Sequence, residues 1–261
     1  MTDTLQQVLA DLTAVGNRLE SLVVDLSEEG WRTPTPAPGW DVATQVAHLA
    51  WTDEAALAAA SDQEAWDALV LTALEDPDGF VDRTALEGGA VAPDALLARW
   101  REARTTLTGA LQDHPTGEKM PWFGPPMSAT SMATARYMET WAHSLDVHAA
   151  LDAEPVVDDG IRNVAHLGVR TRRFSFATHG LDAPTEEVRV ELTAPSGDLW
   201  VWGPEDASQS VRGSAYDFCL LVTQRVHRDD TDLVGQGREA NEWLTIAQCF
   251  AGPPGEGRER A

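Results

Sequence analysis

Residues 128–151 read SATSMATARYMETWAHSLDVHAAL, and they decide the architecture of the first half of the chain. Tyr137, Met138, Trp141, Leu145 and Val147 recur at steps that gather them on the inward side of one amphipathic helix. Glu139 and His143 stand four residues apart on that helix, so their side chains leave the same face one turn apart. Upstream, the same periodicity returns three times. Leu5, Val8, Leu9, Leu12, Val15, Leu19, Leu22, Val23 and Leu26 form one stripe. After a turn-forming stretch with three prolines, Thr33 to Gly39, Trp40 and Asp41 open a second helix that runs through His48 to about Ala60, with Asp41 as N-cap. Asp94 to about Gln112 gives a third, with Leu96, Leu97, Trp100, Leu107 and Leu111 inward. Four long amphipathic helices with two sizeable connections predict a four-helix bundle over residues 1–152. A shorter helix is expected over 62–75. The acidic, glycine-containing segment 75–92 and the aromatic segment 121–126 read as loops.

After Leu151 the texture changes. Ala153 to Asp159 reads as a connector, and a helix is expected over 160–177. Val188–Thr193 and Leu199–Trp202 alternate with period two around Ala-Pro-Ser-Gly-Asp, a hairpin signal. Ala215 to Arg228 and Glu239 to Phe250 read as helices. The expectation is a small α+β domain over 158–252 and a frayed tail over 253–261, so the fold class is α+β overall.

The chain of 261 residues is long enough for two modest cores, and its 43% hydrophobic composition is that of an ordinary globular protein. A net charge of −23 repels phosphate backbones and anionic head groups, which argues against nucleic acid and membrane as partners and leaves a small molecule. Two cysteines without a CxxC, Cys219 and Cys249, both in apolar surroundings, read as buried structural thiols in a reducing cytoplasm. No signal peptide and no apolar run of spanning length is visible. Oligomeric state leaves no trace in the sequence.

The chemistry gathers on three residues. His48 lies midway along the second expected helix, and Glu139 and His143 on the fourth. Facing helices of a bundle converge such ligands inward, and two imidazoles with one carboxylate leave a tetrahedral zinc an open fourth position, the pattern of a catalytic site. By spacing alone the pair is equally a solvated helix face and His48 a core histidine. The flanking residues add a resemblance. Pro38-Gly39-Trp40-Asp41-Val42 followed by His48-Leu49, then Glu139-Thr-Trp-Ala-His143-Ser-Leu-Asp146, resembles the N-terminal domain of the mycothiol-dependent maleylpyruvate isomerase family, a group of DinB-like metal-binding bundles. Over residues 5–152 the resemblance implies that His48, Glu139 and His143 are the metal ligands. It also implies mycothiol as cosubstrate. The ending Leu-Val-Gly-Gln-Gly through Trp243 and Ala247–Pro253 is similar to the C-terminal domain of two-domain actinobacterial relatives, some of which carry a "wyosine base formation" label. Without an iron–sulfur cysteine motif, and at −23 charge, tRNA modification does not follow. In that isomerase family a C-terminal arginine meets substrate carboxylates, a role for which Arg225 and Arg228 are the candidates here.

Around the triad, Asp146 is placed to accept a hydrogen bond from a ligand imidazole. Trp51 is placed to wall the pocket, and Arg136 to pair with Glu139 or face a substrate. His148, roughly 140° around the helix from His143, is excluded as a ligand. His114, His166, His179 and His227 receive no role. The leading functional reading is a metal-dependent isomerase or thiol transferase in which zinc activates a low-molecular-weight thiol. Alternatives are a hydrolase with water at the open position and Asp146 or Asp53 as base, and a metal- or small-molecule-binding module without turnover.

Overall fold

The computed structural model describes residues 4–255 and 257–260. The chain divides into two compact units, Met1–Pro155 and Val156–Ala261. Four long helices build the first: α1 (Thr4–Val23), α3 (Val42–Ser61), α6 (Pro93–Asp113) and α7 (Ala129–Ala150). Three shorter ones, α2 (Glu28–Trp31), α4 (Gln63–Glu75) and α5 (Phe80–Gly89), decorate the connections.

The central element is α3. Asp41 caps it, its carboxylate accepting from the Thr44 N–H at 2.8 Å, so the backbone enters the helix at a fixed point. From Val42 to Asp53 every residue is buried. A helix buried on all sides has no solvent face, and α3 packs against α5, α6 and α7 together. Its alanines are what permit this: Ala43, Ala47 and Ala50 let neighbouring backbones approach, and Leu19, Trp31, Leu96 and Trp100 fill the space around them. The helix α7 starts at Ser128, whose Oγ accepts from the Ser131 N–H.

Segment 75–92, expected as a loop, folds as α5. A Cβ on Gly89 would stand 3.1 Å from the Cα and N of Thr44, so this glycine exists to bring the α5 backbone onto α3. Burial of Phe80 and Ala85 against the bundle offsets the poor helix propensity of the two terminal glycines. The aromatic segment 121–126 does remain a loop. It is pinched by a bridge between Met120 and Met127 and anchored by Trp66, which stacks on Trp122 with ring centroids 5.7 Å apart.

In the second unit a short 3₁₀ turn precedes α8 (Arg162–Arg170) and α9 (Arg172–Thr178), so the expected helix 160–177 is broken at Thr171. The hairpin of β1 (Val188–Thr193) and β2 (Leu199–Trp202) is antiparallel as expected. Two strands went unread: β3 (Gln209–Ser214), parallel to β1, and β4 (Val234–Gln236), giving the sheet order β2-β1-β3-β4. Helices α10 (Ala215–Val222) and α11 (Arg238–Ile246) pack on the sheet, with Phe218 edge-on to Trp243 behind Val190, Leu192 and Val211. The helix expected to reach Arg228 stops at Val222. Gln224 adopts φ 59°, and the N–H of Arg225 turns back to the Leu220 carbonyl at 2.8 Å, a left-handed C-terminal closure that ends the helix. Cys219 and Cys249 are free and buried, and burial pushes the Cys219 thiol well above its ordinary range. The expected frayed tail, 253–261, includes Glu256 and Ala261, which lie outside the described residues. No helix of the described residues is long and apolar enough to cross a membrane.

Candidate metal centre

His48 on α3 and Glu139 and His143 on α7 converge on one point within the first unit. Glu139 Oε2 lies 3.2 Å from His143 Nε2 and 3.5 Å from His48 Nε2. The two imidazole centroids are 4.5 Å apart, and the three ligand atoms all fall within 4.8 Å of one another. These separations are those a metal would require. Bonds of about 2.0–2.2 Å in a tetrahedron place neighbouring donors about 3.4 Å apart. The donor chemistry also fits, since two imidazoles and a carboxylate suit zinc and leave a position unfilled by the protein.

Electrostatics prepares the carboxylate. Burial raises the Glu139 carboxyl, but hydrogen bonds and attraction from His143 and His48 outweigh it and hold the group well below the usual carboxylate range. It is therefore an anion aimed at the point where a cation would sit.

Tryptophans wall this point. Trp40, at the end of the loop before α3, stacks on His143 with centroids 5.9 Å apart and planes 17° from parallel, and lies 5.3 Å from the His48 ring. Its indole N–H donates to Asp82 on α5 at 3.1 Å. Trp51 packs 5.9 Å from His48 and edge-on to Phe80. The sequence placed Trp51 here but did not see Trp40 as a wall, nor that α5 supports both tryptophans.

Other expected residues fall differently. Gln45 Oε1 faces His143 Nδ1 at 2.5 Å. Gln45 went unread because a glutamine three residues before a histidine carries no signal until the two helices are docked. Asp146 is itself buried on α7. Arg136 pairs with neither Glu139 nor a surface acid. Its Nε donates to Asp53 at 2.8 Å, with side chains 1% and 3% exposed, in the interior between α7 and α3. Asp53, one of the two bases weighed for a hydrolase, is held in that pair. A cavity of about 230 Å³ opens over Asp53 between α1 and α6, and no triad residue lines it. His148 Nδ1 meets the Ser144 carbonyl at 2.7 Å and takes no place in the cluster.

In the second unit both candidate arginines sit beyond the end of α10 rather than on it. Arg225 donates through Nη1 to the Thr223 carbonyl at 2.6 Å. Arg228 donates through Nη1 to Thr231 Oγ1 at 3.0 Å and through Nη2 to the Leu233 carbonyl at 2.6 Å.

Comparison with known proteins identifies the family. Residues 12–148 match the family described as the mycothiol maleylpyruvate isomerase N-terminal domain. Residues 184–236, which span β1 to β4, match a family described as wyosine base formation. Two Mycobacterium tuberculosis proteins described only as uncharacterized, from strains CDC 1551 / Oshkosh and ATCC 25618 / H37Rv, are each 52% identical over 250 residues. Those alignments cover 96% of this chain and 97% of theirs. Two crystal structures of the mycothiol-dependent maleylpyruvate isomerase, one of a histidine-to-alanine mutant, share the fold. Each superposes with a TM-score of 0.59 at 16% identity, covering 92% of this chain and 99% of the other.

Proposed function

Because the chain belongs to the mycothiol maleylpyruvate isomerase family, we propose that it is a metal-dependent enzyme acting on a small molecule with mycothiol as cosubstrate, of isomerase or thiol-transferase type. The observation that carries this reading is the convergence of His48, Glu139 and His143, three candidate ligands with no fourth among the described residues, on one point. His48, Glu139 and His143 would hold a divalent metal, zinc by donor set, which would supply the Lewis acidity that keeps a thiol deprotonated at neutral pH.

The chain's own residues do the rest. Glu139 is an anion between two imidazoles and offsets the charge of the cation they hold. Trp40 and Trp51 present apolar faces beside the ligands and exclude water from that side, which strengthens every electrostatic interaction at the site. A substrate with carboxylates needs a cation, and the family resemblance offers Arg225 and Arg228 for that role. With both cysteines free and buried, a reducing cytoplasm suits the protein.

Calorimetric titration of the zinc-loaded full chain with mycothiol tests the proposal. Stoichiometric binding that disappears in His48→Ala is the expected result, and no binding to the loaded protein overturns the thiol reading. A panel of cis-enoic acids and electrophiles then tests turnover. Binding of mycothiol with silence across the panel would make the protein a binding module instead.

A further inference from the structure

Gln45 is fully buried on α3, three residues before His48, and its amide joins two different parts of the first unit. On one side its Oε1 stands 2.5 Å from His143 Nδ1. On the other its Nε2 donates to Thr35 Oγ1 at 2.9 Å. The Thr35 hydroxyl in turn donates to the Trp40 carbonyl at 2.9 Å.

The direction of this relay follows from its last member. A backbone carbonyl only accepts, so the Thr35 proton is committed to Trp40 and the Thr35 oxygen turns a lone pair toward Gln45. The NH₂ end of the amide must face that lone pair, which leaves the carbonyl end facing His143. An acceptor opposite Nδ1 requires a proton on Nδ1. That leaves Nε2, the atom 3.2 Å from Glu139, as the nitrogen turned to the centre of the cluster, where it hydrogen-bonds Glu139 while it holds a proton and offers a lone pair to a cation that displaces that proton. Trp40 closes the circuit, because the residue that accepts from Thr35 also stacks on the face of His143.

His48 has no such support. Its Nδ1 is buried and meets no hydrogen-bond partner among the described residues. The two imidazoles of the cluster are thus unequal, one set by the protein and the other not.

We propose that Gln45 is a positioning residue that fixes the tautomer and ring orientation of His143, with Thr35 holding the amide in the sense required. The consequence for the metal rests on the reading of the triad as a metal site; the tautomer does not. The result is a loop-to-ligand relay, in which the chain from Thr35 to Trp40 dictates which nitrogen of a ligand is free.

Two readouts on the full chain test this. One is the hydrogen-bonded Nδ1 proton of His143, read by long-range ¹H–¹⁵N correlation in zinc-loaded protein and, at a pH where the ring holds both protons, in metal-free protein. The other is cobalt(II) affinity by chelator competition. Wild type should show that proton. Gln45→Leu should lose its signal and weaken cobalt about 10- to 100-fold, the usual cost of losing a partner behind a ligand histidine. Gln45→Glu, which keeps an acceptor at that position, should restore the hydrogen-bonded Nδ1 proton. Thr35→Val touches no atom of His143, so it decides the matter even if Gln45→Leu fails to fold, and it should lose affinity in the same direction by less. Absence of that proton in wild type overturns the proposal, as does a Thr35→Val or Gln45→Leu protein that keeps both the proton signal and the affinity. If wild type binds no cobalt, the metal reading falls while the Nδ1 proton in metal-free protein still decides the role of Gln45.

Discussion

Arg136 and Asp53 form an ion pair at 2.8 Å in the interior of the bundle, and each is almost completely withdrawn from solvent. Burial raises the Asp53 carboxyl above its ordinary value, more than the opposing attraction of Arg136 lowers it. Taking the Asp53 anion out of water therefore costs the fold stability, a cost that is absent at acid pH and sets in as pH rises from the unfolded value through the raised one. The pair is a means of tolerating two charges, not a net source of stability. Removing one member alone strands the other. Arg136→Met is expected to destabilise the protein by about 3–5 kcal/mol, while Arg136→Met with Asp53→Leu should recover most of the loss at pH 7. Urea unfolding curves for the single and double variants measure this, and equal destabilisation in both would contradict it.

Glu239, at the start of α11, accepts from the N–H groups of Thr185 and Glu186, from the Thr185 hydroxyl and from Arg172. Burial raises its carboxyl, but these four donors prevail and the group lies below its ordinary value. The sign follows. A depressed carboxylate contributes stability above its unfolded value of about 4.3, and that contribution is lost as pH falls through the folded one. Wild type should therefore lose stability below about pH 4.3 more steeply than Glu239→Gln. Thermal unfolding of both proteins between neutral and acid pH provides the check, and parallel profiles would remove Glu239 from this role.

Metal removal should be visible in stability as well as in composition. If zinc at a hundred times its dissociation constant binds only the folded chain, it adds about 2.7 kcal/mol, which a chelator takes away. His48→Ala and His143→Ala should show neither stoichiometric zinc by elemental analysis nor a chelator-dependent melting shift. Full zinc occupancy in both variants would sink the triad.

Gly203 follows β2 at φ 82°, and a Cβ there would collide with the Val188 carbonyl of β1. Left-handed backbone and a backbone obstacle together leave no room for a side chain. Gly203→Ala is expected to destabilise the second unit by clearly more than Gly197→Ala, whose φ of 91° is also left-handed but whose surroundings are open, so that it loses from φ alone. Denaturant midpoints for the two variants compare the effects; equal midpoints would show that the β1 contact carries no weight.

The first unit was largely legible because its signals are local. Heptad-like spacing marked the long helices, and Asp41 and Ser128 marked where two of them begin. The segment that became α5 was not legible, since Gly88 and Gly89 read as breakers until α3 is beside them. Strands β3 and β4 were missed for the same kind of reason. Gln209–Ser214 is polar and glycine-containing, and only its pairing with β1 on one side and β4 on the other makes it a strand.

For the site, the sequence by itself singled out His48, Glu139 and His143 as candidate ligands, because Glu139 and His143 are separated by one helical turn and the flanks of all three carry a family resemblance. What surrounds them was decided only by tertiary structure. Gln45 behind His143, Trp40 over its face and Arg136 against Asp53 are contacts between residues 98, 103 and 83 positions apart or reached through a folded loop. Spacing along one helix predicts which side chains share a face. It is silent about which atom of a neighbouring helix will meet them, because that depends on how closely small residues such as Ala47 and Gly89 let the backbones approach.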